Sequence, residues 1–235
     1  MRQWIYGKNS VLQRLKSNEA IEELIVIKNK HQDVIMMAQK KGIQTKEVSK
    51  NEMDKLVRGN HQGIVIAIKE YEAKSLEDII ESVDMSSNPI LVMCDQLEDP
   101  HNLGAILRTC DATGVKGVII GKHRSVSLNA TVAKVSTGAI ETVPVAIVTN
   151  LSRALSTLKE KGFWIIGADN TQAVSYKEMP KDRPVVLVVG SEGKGISNSV
   201  LKQCDYRVVI PMLGEVNSLN VSVATGVLLY ELISK

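Results

Sequence analysis

Unbroken apolar runs recur through the last two thirds of the chain: "PILVMCD" (89–95), "KGVIIG" (116–121), "VPVAIVT" (143–149), "FWIIGAD" (163–169), "PVVLVVG" (184–190) and "YRVVIP" (206–211). Runs that do not alternate with polar residues predict strands covered on both faces, and hence a largely parallel sheet between helical layers. Segments of helical spacing lie between them: "LGAILRTCDATG", "NATVAKVSTGAIE", "NLSRALSTLKEKG", "SNSVLKQC" and an apolar C-terminal run. The first third is different in texture. "SVLQRLK", "HQDVIMMAQKKG" (closed by Gly42) and "NEMDKLVRG" (capped by Asn51) predict helices, and "EELIVIK" and "GIVIAIK" predict strands. These make a small α/β domain over residues 1–70. A charged, then Ser/Asn-rich stretch predicts a linker over 71–88 with one or two amphipathic turns, leaving 89–235 as the larger α/β domain.

Composition narrows the functional classes. Aromatic residues make up 3% of the 235 residues, which disfavours binders that stack bases on aromatic platforms. A net charge of +3 permits a nucleic-acid partner without requiring one. Cys94, Cys110 and Cys204 form no paired spacing and have no His at ligand spacing, so neither a disulfide framework nor a metal site is expected; buried free thiols in a reducing cytoplasm are. The N-terminal stretch lacks the apolar core of a signal peptide, and no run reaches membrane-spanning length.

In parallel α/β sheets, ligands bind where the loops leave the carboxyl ends of the strands. Four such stretches carry candidate chemistry. In "CDQLEDPHNLGAILR", Asn102 can cap a helix whose apolar stripe excludes Arg108, and the same helix start can attract an anion. In "GKHRSVSLNATVAKVSTGAIE", Lys122 and Arg124 follow a strand on what would be the same rim as Arg108. There they read either as a solvated basic loop or as phosphate contacts. "PVVLVVGSEGKG" is neither a phosphate-binding Walker loop nor a dinucleotide fingerprint, yet it places Glu192 where the backbone turns tightly. In "IPMLGEVNSLNVSVATG", Asn217, Ser218 and Asn220 offer more caps than one helix needs.

Taken in order, "NLGAILR", "GSEGKG" and "IPMLGEVNSLNVSVATG" resemble the three motifs of the SpoU (TrmH-like) class of RNA ribose 2′-O-methyltransferases within the SPOUT superfamily, over residues 89–235. The resemblance is nearest to bacterial members acting on guanosine in 23S ribosomal RNA. It implies a SPOUT-type α/β domain with a deep trefoil knot in the last quarter of the chain, joined to a small N-terminal α/β substrate-binding domain. S-adenosylmethionine would be the cofactor, cradled by backbone at Gly190, Ile210 and Leu219. Arg108 would be the catalytic group, held by Asn102, Glu192 and Asn220, with Ser218 lining the pocket. Large-subunit ribosomal RNA would be the partner, contacted by Lys122 and Arg124, and the enzyme would be a homodimer. A transfer-RNA methyltransferase and a non-catalytic RNA-binding or assembly factor are the competing readings. An oxidoreductase lacks its fingerprint.

Overall fold

The computed structural model describes residues 3–16, 21–68 and 71–234, and contacts divide the chain into two units, residues 1–70 and 71–235. The first unit runs β1 (Gln3–Tyr6), α1 (Lys8–Lys16), β2 (Glu23–Ile27), α2 (Gln32–Lys40), β3 (Gln44–Val48), α3 (Lys50–Leu56) and β4 (Ile64–Ile68). Its sheet has the order β1-β4-β2-β3, with β4 antiparallel to both neighbours and β3 parallel to β2. β1 and β3 are not among the sequence-predicted strands. β3 reads "QTKEV", and four of its five positions are exposed or half-exposed, so no apolar run marks it. The cap of α3 is Ser49, which forms a capping box with Glu52; Asn51 lies inside the helix.

The second unit runs α4 (Leu76–Ser82), β5 (Ile90–Asp95), α5 (Pro100–Ala112), β6 (Gly117–Gly121), α6 (Ala130–Ser136), α7 (Ala139–Thr142), β7 (Val145–Val148), α8 (Leu151–Glu160), β8 (Trp164–Ala168), β9 (Val174–Ser175), β10 (Val185–Gly190), α9 (Asn198–Leu201), β11 (Tyr206–Val209) and α10 (Val221–Ile233). All six predicted apolar runs are strands of one seven-stranded sheet ordered β7-β6-β5-β10-β8-β11-β9, and every pairing is parallel. Both faces are covered, which is why the runs do not alternate in polarity. On β5, Val92 and Cys94 enter a core built with α5, α6, α7 and α10, while Leu91 and Met93 enter one built with α4, α8 and α9.

Residues 71–88 are not a free linker. Ser75 caps α4 in a capping box with Asp78, and Leu76, Ile79 and Ile80 are buried in the second unit's core. The fit is close: a Cβ on Gly117 of β6 would lie 2.7 Å from Ile79 Cγ2. The stretch looked like a linker because its charged residues outnumber this single apolar stripe.

The long predicted helix at 129–141 is two helices, broken where Thr137 and Gly138 adopt left-handed backbone. α6 packs on α5 at Gly104, where a Cβ would lie 2.6 Å from Val135 Cβ and 3.1 Å from the Val132 carbonyl. Gly104→Ala is therefore an overpacking change. It should lower stability by about 1–3 kcal/mol, read from the midpoint and slope of urea unfolding.

Candidate active site

Three loops meet at the carboxyl ends of β5, β10 and β11. The first precedes α5, whose cap is Asp99: its Oδ1 accepts from the His101 N–H at 2.8 Å, and Pro100 occupies the first helical turn. Asn102 is thus released from the capping role expected of it. The second loop begins at Gly190 and closes on itself, with the Gly195 N–H donating to the Ser191 carbonyl at 2.8 Å. Its far end is anchored where the Ser197 N–H donates to buried Asp95 at 2.7 Å. The third loop leads into α10, and Asn220 is its cap. The Asn220 Oδ1 accepts from the Ser222 N–H at 2.9 Å and the Val223 N–H at 3.4 Å.

With the oxygen committed to the helix, the Asn220 amide nitrogen faces the other two loops. It donates to Asn102 Oδ1 at 2.9 Å and to Glu192 Oε1. The same carboxylate oxygen accepts from Asn102 Nδ2 at 3.2 Å and from the Val221 N–H at 3.4 Å. Asn102 in the first turn of α5, Glu192 in the loop after β10 and Asn220 at the cap of α10 come from three separate segments and form one network. A carboxylate surrounded by donors is the favourable arrangement here, since every donated bond is charge-assisted.

Beside this network lies a cavity of about 260 Å³. Gly190, Ile210, Ser218 and Leu219 line it, as do Glu192 and Asn217. So do Asp169, Asn170 and Met212, which the sequence reading did not single out. The signal was available: Asp169 ends the apolar run "FWIIGAD" at the same sheet edge as Asp95 and Gly190.

The cations lie elsewhere. Arg108 is exposed and makes no hydrogen bond or ion pair with any described residue, so Asn102, Glu192 and Asn220 do not hold it. Helix geometry gives the reason. Six residues along a helix is about 600°, which leaves Arg108 roughly 120° around the axis from Asn102 and about 9 Å along it. α5 also runs back from the strand ends, so Arg108 does not share the rim of the loop after β6. Lys122 and Arg124 are exposed on that loop, with Arg124 in left-handed backbone. Lys122 helps line a second, polar cavity of about 160 Å³ together with Asp95 and Ser197.

The thiols are set against chemistry. Burial pushes the Cys94 thiol up to about 12 and the Cys204 thiol up to about 11, and raises Cys110 well above its ordinary value. At pH 8 the native protein should therefore leave a thiol reagent such as dithiobis-nitrobenzoate unreacted, and denaturation should release all 3 thiols. Among the described residues no three His, Cys, Asp or Glu side chains are grouped to hold a metal ion, and no helix is long and apolar enough to cross a membrane.

Solved structures of SpoU methyltransferases match this fold over nearly the whole chain. The crystal structure of AviRb from Streptomyces viridochromogenes, in complex with the cofactor AdoMet, matches with a TM-score of 0.67 at 21% identity, over 99% of this chain and 89% of that one. The A. aeolicus TrmH/SpoU tRNA modifying enzyme matches with a TM-score of 0.58 at 34% identity, over 67% of this chain and 80% of that one. In sequence, YacO of Bacillus subtilis, named as a TrmH family tRNA/rRNA methyltransferase, is 44% identical over 99% of this chain and 95% of its own length. The chain belongs to the SpoU rRNA methylase family, whose model matches residues 89–230, and residues 4–74 match the substrate-binding domain of RNA 2′-O ribose methyltransferases. It is an RNA methyltransferase of the SpoU/TrmH family.

Proposed function

We propose that this chain methylates the ribose 2′-hydroxyl of a guanosine in 23S ribosomal RNA, using S-adenosylmethionine, as a cytoplasmic homodimer. The observation that carries the reading is the Asn102–Glu192–Asn220 network, because it ties the three motif segments together beside one cavity. The cavity suits the cofactor chemically. Val189, Ile210, Leu219 and Leu228 offer apolar surface to a nucleoside, and the Asp169 and Glu192 carboxylates complement a cation. When bound, the cofactor supplies a methyl carbon already activated by a positive sulfur.

The protein's own tasks are positioning and charge. A ribose hydroxyl is a poor nucleophile at neutral pH and must lose its proton as it attacks. On the family resemblance Arg108, which the folded chain leaves exposed and apart from the Asn102–Glu192–Asn220 network, is the electrostatic partner of the developing alkoxide once RNA is bound, with an RNA phosphate assisting proton removal. Glu192, Asn102 and Asn220 fix the loops that wall the cavity, and Ser218 faces into it. Lys122 and Arg124 contact RNA phosphates. Dimerisation is supported by α10, whose sequence is mostly apolar apart from Ser222, Thr225 and the Lys181-paired Glu231, and whose Val223, Tyr230 and Ile233 are exposed. A trefoil knot in the last quarter of the chain belongs to the same proposal. It is supported by the placement of β10 between β5 and β8, and by the chain's return from β11 past the Gly190 loop into α10.

The test is to delete the gene and map ribose methylation across all ribosomal and transfer RNA. The expected result is one missing 2′-O-methylguanosine in 23S RNA, restored by the plasmid-borne gene. A missing transfer-RNA mark with ribosomal marks intact would move the substrate to transfer RNA. No missing mark would favour a non-catalytic RNA-binding role.

A further inference from the structure

Two neighbouring strands of the large sheet send the chain in opposite directions. β5 runs on through α5 to β6, whereas β10 runs on through α9 to β11 at the other side of the sheet order. α5 packs on one face of the sheet and α9 on the other. Where two such strands lie side by side, their outgoing loops part and leave a crevice at the carboxyl ends, the usual ligand site of an open parallel sheet. A cavity of about 260 Å³ occupies that position, with residues 96–99 and Asn102 along one wall and residues 191–194 along the other. Ser191 and Glu192 also line the cavity assigned to S-adenosylmethionine, so the two cavities share a wall.

Both walls of the crevice are held in place. The Ser197 N–H donates to Asp95 at 2.7 Å, which ties the loop after β10 to the end of β5. Leu97 is buried, and its carbonyl accepts from the Val126 N–H at 2.7 Å. Four charged side chains line the cavity: Glu98, Asp99, Glu192 and Lys194. Asp99 is taken up by the cap of α5, and Glu192 by Asn102, Asn220 and Val221. Glu98 and Lys194 remain. They face each other from opposite walls at 3.7 Å, with each side chain 63% exposed. A surface ion pair this loose is weakly held and yields to a better partner.

Charge decides what the crevice accepts. Three carboxylates against one ammonium repel a phosphate and favour a group that offers N–H donors. An unstacked RNA base is such a group, read along its Watson–Crick edge. A carboxylate only accepts and an ammonium only donates. Guanine alone of the four bases matches that pair, with two adjacent donors (N1–H and the 2-amino group) beside an acceptor (O6). Adenine and cytosine have no ring N–H on this edge, and uracil has one between two acceptors.

We propose that this crevice receives the base of the target nucleotide and that Glu98 and Lys194 select guanine, the carboxylate accepting from N1–H and the 2-amino group and the ammonium donating to O6. A base held there brings its ribose toward the wall shared with the cofactor cavity. The inference rests on the proposed function for the reaction and names the residues that choose its substrate.

The test uses the full-length protein and a 23S RNA fragment carrying guanosine or inosine at the position mapped in the deletion strain. Inosine lacks only the 2-amino group. Wild-type kcat/KM should be about tenfold higher for guanosine than for inosine. Glu98→Gln should lower kcat/KM on guanosine by about 10–100-fold and bring the guanosine-to-inosine ratio close to one. Lys194→Gln should lower both rates and keep the wild-type ratio, because both bases retain O6. S-adenosylmethionine affinity and the urea midpoint should not change in either variant. Equal wild-type rates on the two RNAs would overturn the proposal, as would a wild-type ratio in Glu98→Gln. A loss of cofactor affinity in Glu98→Gln would overturn it too, since the side chain would then act on the loop and not on the base. In each of these cases a wild type that methylates the guanosine RNA leaves the proposed function standing. A wild type inert on both RNAs overturns both.

Discussion

Gly190→Ala is expected to cost the second unit about 3 kcal/mol and to weaken S-adenosylmethionine binding at least a hundredfold. Gly190 is the last residue of β10, held in register against Asp95 of β5. A Cβ there would fall inside the backbone of Gly195 and Ile196. Those atoms cannot step aside as the end of a flexible side chain can. Ile196 is buried, Ser197 is tied to Asp95, and Gly195 is bonded back to Ser191. Relief would have to come from moving the whole loop, and Glu192 would move with it.

The neighbouring glycines supply the controls. Gly193 has ordinary backbone and open space around it, so Gly193→Ala should be neutral. Gly195 also has space but sits at φ +64, so Gly195→Ala should cost about 1–2 kcal/mol through strain alone. Calorimetric titration with the cofactor and urea unfolding on all three would read the series. Wild-type affinity in Gly190→Ala would show that the close approach of the loop is not what shapes the cavity.

The same loops show what was legible in the sequence and what was not. Strands buried on both faces announce themselves, because every position must be apolar, and all six such runs are strands. Polar or very short strands give no such signal. "QTKEV" and the two-residue β9 are held by pairing with a neighbour, not by their own pattern. Caps were legible as a class but not as individuals. Asp99 and Ser49 cap the helices for which Asn102 and Asn51 were the candidates. A cap is chosen by which residue sits at the boundary with extended backbone, and several polar residues within one turn satisfy the preference equally. The displaced candidate was the informative one: Asn102, inside the first turn of α5 and free of the capping role, reaches Glu192. The surplus of amides before α10 resolves in the same way. Asn220 caps with its oxygen and joins the network with its nitrogen, while Asn217 and Ser218 line the cavity.

Arg108 marks the limit of reading a motif as a unit. Its position in "NLGAILR" placed it with Asn102, yet the helix turns the two side chains apart, and Glu192 Oε1 is already satisfied by Asn220, Asn102 and Val221. That separation makes the substitution informative. Arg108 is exposed and bonded to no described residue, so Arg108→Lys removes nothing from the folded protein. It keeps the charge and loses the planar fork. The expected result is an unchanged urea midpoint, unchanged cofactor affinity, and a methyl-transfer rate lower by about 10²–10³, the loss that follows removal of one oriented donor from a developing oxyanion. Glu192→Gln should behave differently. It removes the charge on which three donors converge and loosens the loop, so cofactor affinity should fall together with rate. Single-turnover methylation of 23S RNA at saturating cofactor separates the two cases. A normal rate in Arg108→Lys would mean that a positive charge suffices, or that another group meets the alkoxide. A loss of cofactor affinity in the same variant would place Arg108 at the cavity wall, not at the reacting oxygen.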